Sequence, residues 1–171
     1  STAQELQNIA YAIQIDPLTA SKAFVLSEDI QFSTDTPAPM IAQFNGLLDG
    51  AGHTLSDLSW SIDQSHVGLF GTLTSANIQS LNLHVTELSA PGRDYLGSLA
   101  GEAMATSITD VQVTLDGAIE GKQYVSGIAG KLDLCTVTNT TLSLADGASI
   151  TTTSHHVGGI AGLAASTTLT S

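Results

Sequence analysis

The chain has 171 residues, with 4 Lys and Arg against 16 Asp and Glu, a net charge of -12, and only 12 % charged residues. Such an acidic surface repels phosphate backbones and anionic lipid heads, so nucleic-acid binding and a polybasic membrane contact are excluded from the expected functions. A hydrophobic content of 42 % with a mean hydropathy of +0.21 argues against intrinsic disorder, and 21 Thr and 19 Ser supply the polar surface that charged residues usually cover.

In chain order, Thr2 and Glu5 form a capping-box pair ahead of Leu6, Ile9, Ala10 and Ile13, which fall at helical spacing. The expectation is a helical cap over residues 1–16, ended by Pro17 and able to shield the first sheet edge from pairing with other chains. Residues 1–7 lack a basic region followed by an apolar stretch, so no signal peptide is expected there. No run reaches the roughly 18 apolar residues of a membrane span. A lead-in segment, 17–54, connects the cap to a repetitive region, 55–171, and the whole is read as one domain.

The repeats carry the fold. Four segments align: His66-Val67-Gly68-Leu69-Phe70-Gly71, Tyr95 to Gly101, Tyr124 to Gly130, and His156 to Gly162. Their last glycines are 30, 29 and 32 residues apart, and an aliphatic residue follows each by seven: Ile78, Ile108, Val137 and Leu169. Leu81, Leu83, Val85 and then Val111, Val113, Leu115 and Thr140, Leu142, Leu144 continue the pattern at fixed offsets. Leu55, Leu58, Trp60 and Ile62 are read as an earlier, less regular copy. The alternation is that of a strand with one buried face, and no copy contains a helical stripe. Short strands joined by turns and stacked at about 4.8 Å fit this period. The fold expected is all-β, a right-handed parallel β-helix of about five coils. Glycines recur where a coil turns tightly or approaches its neighbour's backbone. The last copy breaks off at Ser171, which is read as truncation of a longer chain or as an open end that docks onto a partner.

The Gly-Ile-Ala-Gly and Gly-Leu-Phe-Gly blocks resemble the GLUG motif of bacterial secreted and surface proteins. The stretches Phe24 to Ile30 and Phe44 to Leu55 resemble the segment that precedes such repeats. Leu69-Phe70 departs from the usual aliphatic-Ala pair, and Ser98 and Ser126 stand in place of glycine. The resemblance implies a β-helix within a large extracellular protein, such as an adhesin or the non-catalytic region of an immunoglobulin-A peptidase. It brings no catalytic motif to any residue here.

Candidate chemistry is sparse. Asp57, Ser80, Asp110, Asn139 and Ser171 are assigned one repeat position. Asp57 and Asp110 there would be an acid/base pair separated by roughly 9–10 Å, or members of a polar turn ladder, which Ser and Asn fit better. A uronate would have only Lys22, Arg93, Lys122 and Lys131 to hold it, of which Arg93 and Lys122 precede Tyr95 and Tyr124 by two residues each and are expected near one another in the stack. Among His53, His66, His84, His155 and His156, the adjacent last two would point to opposite strand faces, against joint zinc binding. His66, Tyr95, Tyr124 and His156 form a ring column, expected as wall packing or, if exposed, a sugar-stacking surface. Asp49-Gly50-Ala51-Gly52 lacks calcium-repeat spacing and reads as a tight turn, although calcium stays possible for an acidic secreted chain. Cys135, the single cysteine, excludes an internal disulfide and is expected as a buried, inert thiol. Asn139-Thr140-Thr141 matches the glycosylation tripeptide.

No catalytic, cofactor or metal residue is assigned, and the chain is read as non-enzymatic. The expected function is a stiff stalk or adhesive face of a secreted or cell-surface protein, contacting a host or neighbouring-cell ligand such as a glycan. A glycan-cleaving β-helix enzyme and an end-to-end self-associating filament subunit are the alternatives.

Overall fold

The computed structural model describes residues 2–171 and shows a parallel β-solenoid with a helix over its first coil. Ser1, the first residue of the expected cap, lies outside the described residues. The helix spans Ala3–Ile15, with Thr2 Oγ1 accepting from the Glu5 amide at 3.1 Å. Leu6, Ala10 and Ile13 are buried and Ile9 packs against the same core, the stripe expected from their spacing. Asp16 then caps a short 3-10 helix, Pro17–Ser21, that turns the chain into the first strand. Proline is well placed there, since its missing N–H falls where a helix start has no partner for one.

Every strand pairing among the described residues is parallel. The regular coils wind through three sheets. The longest strand, Asn77–Ser89, lies in the largest sheet; Asp94–Leu96 and Ala100–Met104 lie in the other two; Ser107–Leu115 re-enters the first. The aliphatic column is in register: Ile78 faces Ile108, Ile108 faces Val137, and Val137 faces Leu169. Leu81 and Val111, Leu83 and Val113, and Val85 and Leu115 form the parallel columns beside it. From Leu48 to Leu169 this makes about four turns. The side chains fill one continuous core, with Ile78, Leu81, Ile108 and Val111 wholly inaccessible. Burying one such side chain contributes roughly 1.5–3 kcal/mol against the entropy of ordering the chain.

The first coil departs from the expected register. The residue opposite Ile78 is Leu48, followed below by Phe24, so coiling begins within the segment expected to lead into it. Leu55 instead faces Leu83, Leu58 faces Val85, and Trp60 faces Leu88. The cause is local. The turn Asp49-Gly50-Ala51-Gly52 is longer than the single-residue corner at Ser80, and the strand Thr54–Ser61 bulges between Leu55 and Leu58.

Corners are made by residues with left-handed backbone in three columns. Ser75, Ala105, Leu134 and Ser166 have φ of 52°, 51°, 55° and 46°; Ser80, Asp110 and Asn139 have 51°, 54° and 49°; His66, Tyr95, Tyr124 and His156 have 61°, 66°, 55° and 64°. One non-glycine residue in this region costs about 1–2 kcal/mol. The stacked coils on either side hold it there.

Candidate functional site

The ring column is the most ordered surface feature. His66 and Tyr95 stack with centroids 4.6 Å apart, Tyr95 and Tyr124 at 4.8 Å, and Tyr124 and His156 at 4.7 Å, with interplanar angles of 14°, 8° and 20°. Their shared left-handed backbone aims each ring the same way, and the parallel register of Val125 with Leu96 and Val157 sets the rung spacing. The same geometry explains the glycine that ends each repeat block. A Cβ on Gly130 would lie 2.6 Å from the Tyr124 carbonyl oxygen, 2.6 Å from that of Gly101 and 2.7 Å from the Leu96 nitrogen. The chain folds back on its ring-bearing corner, and only a residue without a side chain fits behind it. Because each inner ring is sandwiched, its faces are occupied and its edge alone meets solvent. Stacking a sugar on the inner rings is therefore blocked, which leaves wall packing, the other expectation for this column.

Beside the column, Lys131 Nζ donates to Glu102 Oε1 at 2.7 Å, and His66 Nε2 lies 3.4 Å from Glu102 Oε2. The bond to Glu102 raises the Lys131 ammonium above its ordinary value. Burial, then the neighbouring Tyr124, pushes the Tyr95 phenol up.

Asp57 and Asp110 are not brought together. Asp57 sits in the bulge, outside the Ser80–Asp110–Asn139 column. Its Oδ2 accepts from Gln31 Nε2 at 2.7 Å, and its Oδ1 lies 3.8 Å from His84 Nδ1. His84 Nε2 contacts Asp116 Oδ2 at 2.6 Å. Asp110 is held instead by Asn139 Nδ2, the turn-ladder arrangement. Gln31, Asp57, His84 and Asp116 thus form a polar line across successive coils. Different residue types at different repeat positions compose it, so no periodicity in the sequence announces it.

The remaining candidates also act between coils. His53 Nδ1 and the Thr54 amide both contact Asp29 Oδ1, at 3.1 and 2.9 Å, and hold that carboxyl below its ordinary value, the amide more strongly. Arg93 Nε donates to Asp63 Oδ1 at 2.7 Å and likewise lowers it. Arg93 and Lys122 are neighbours through their backbones, the Lys122 N–H donating to the Arg93 carbonyl at 2.7 Å. The Arg93 guanidinium is nevertheless taken up by Asp63. Asp49 Oδ1 accepts from the Ala51 amide at 2.8 Å and Oδ2 from Gln79 Nε2 at 2.9 Å, so the Asp-Gly turn uses its own carboxylate. Among the described residues, no three His, Cys, Asp or Glu side chains converge as around a metal ion. His155 and His156 meet edge-on, their ring planes 83° apart. Cys135 is buried, its thiol raised by desolvation and within 3.4 Å of the Ala103 carbonyl oxygen. Asn139 of the glycosylation tripeptide stands exposed at its corner.

Two known proteins resemble the chain. Halomucin of Haloquadratum walsbyi is 38 % identical over 97 residues, which is 55 % of this chain and 1 % of halomucin. The immunoglobulin A1 protease of Streptococcus pneumoniae is 28 % identical over 145 residues, 80 % of this chain and 7 % of the protease. The chain therefore spans a small fraction of either relative. No family model matches it, and no solved structure is significantly similar. Among the described residues, no helix is long and apolar enough to cross a membrane.

Proposed function

We propose that the chain is a non-enzymatic module of a secreted or cell-surface adhesin, of the GLUG-repeat kind, whose stacked coils form a rigid stalk presenting a binding face. The observation that carries this reading is where the polar side chains go. Asp29, Asp57, Asp63, Glu102, Asp110 and Asp116, six of the sixteen carboxylates, each contact a residue of another coil, which supports a structural use for them. The relatives support an extracellular setting: one is named for a mucin, the other for a protease of an antibody, and both are proteins of the surface or the surrounding medium. The small share of the protease that the chain covers fits a non-catalytic region of that protein.

The test is a paired assay on the purified chain. Polysaccharide substrates are screened for new reducing ends, and the same polysaccharides are immobilised and probed for retention of the protein. Retention without new reducing ends is the expected result. Release of reducing ends that Asp57→Asn abolishes would replace the adhesive reading with a glycan-cleaving enzyme.

A further inference from the structure

The stacked pair Tyr95 and Tyr124 has a consequence beyond packing. The chain has three tyrosines, and two of them lie face to face in adjacent coils, 4.8 Å apart and 8° from parallel. The third, Tyr11, is 66 % exposed on the capping helix. His66 and His156 close the stack from both sides, which keeps the two phenols together. Both rings are only partly buried, so an oxidant at the surface can take an electron from each phenol. Chain geometry thus gives each phenol a very high effective concentration of the other. The single cysteine, Cys135, cannot join one coil to another as a disulfide.

We infer that Tyr95 and Tyr124 are a site of oxidative cross-linking, where a peroxidase using hydrogen peroxide joins two coils through a dityrosine bond. One-electron oxidation of each phenol, with loss of its O–H proton, gives two phenoxyl radicals whose spin reaches the ortho carbons. A carbon–carbon bond forms between one ortho carbon of each ring. The hydrogens on those carbons then move to the phenolic oxygens and restore both aromatic rings. Two tyrosines and one hydrogen peroxide yield one dityrosine and two waters. The product closes the chain between residues 95 and 124, restricting the unfolded state as a disulfide would.

The experiment treats the purified chain with a haem peroxidase and hydrogen peroxide, followed by trypsin and mass spectrometry. Cleavage after Arg93, Lys122 and Lys131 places the tyrosines in separate peptides, 94–122 and 123–131. The expected product is a monomer lighter by two hydrogens, with those peptides linked and the fluorescence of dityrosine present. Oxidation of Met104 in the first peptide adds an oxygen instead, so the two events separate by mass. Tyr124→Phe, which keeps the ring and the stack, should abolish the link, while Tyr11→Phe leaves it intact. The linked monomer should also melt at a higher temperature than the untreated chain. The inference is overturned if linkage occurs only between molecules or through Tyr11. It is equally overturned if no linked pair forms while free tyrosine couples in the same reaction, or if the linked monomer melts unchanged.

Discussion

Gly130 is enclosed by the backbones of its own coil and its neighbours, whereas Ser143 is exposed on the surface. Gly130→Val forces branched carbon into carbonyl oxygens already within contact distance, and should cost about 3 kcal/mol or more. Ser143→Val should change stability by less than about 0.5 kcal/mol. Thermal or urea melts of both variants check this, and equal tolerance would contradict the register. This position was readable in the sequence because glycine recurs five or six residues after a ring and always seven before an aliphatic residue. Left-handed backbone at Tyr95 and Tyr124 was not readable, since nothing in an aromatic side chain announces a positive φ. Asp57 misled for a related reason. It resembles Asp110 in type and local spacing, but a bulge rather than a corner supplies its backbone angle of 59°.

Among the elements, the strands were legible where one residue forms the corner and were shifted where a longer turn does. Leu48, not Leu55, continues the column of Ile78, because spacing within a copy does not reveal how many residues a turn consumes. The capping helix was legible in its start and its buried stripe, the Thr2 cap and buried Leu6, Ala10 and Ile13 all following from local chemistry. Links between coils were the hidden part, since Asp29 with His53 and Asp63 with Arg93 join unlike residues across a loop. These links make a pH prediction. Asp29 and Asp63 are held below the ordinary 3.8, so they bind protons more readily when the chain is unfolded. Their contribution is complete above pH 3.8 and is lost as pH falls through the lowered folded-state values. The melting temperature should therefore drop below about pH 4. Asp63→Asn should remove part of that acid-side slope, and a pH series of melts would show it.

The molecule as a whole carries a charge of -12 on 171 residues, and its few cations do not offset it. Self-repulsion of that kind opposes compaction and is screened within about 10 Å at 0.1 M salt. Raising sodium chloride from low to molar concentration should accordingly raise the melting temperature. A net loss would mean that the ion pairs Arg93–Asp63 and Lys131–Glu102 outweigh the repulsion, which their partial exposure argues against.

The columns running through Leu48, Ile78, Ile108 and Val137 have a genetic corollary. Within the regular coils, a stretch that starts at one member and stops just before the next is one winding, with matching edges above and below. Copying or excising the DNA for such a stretch, 78–107 for instance, lengthens or shortens the rod by one storey without creating a new kind of junction. Reach, in such a design, is set by copy number, and adjusting it requires no invention of sequence.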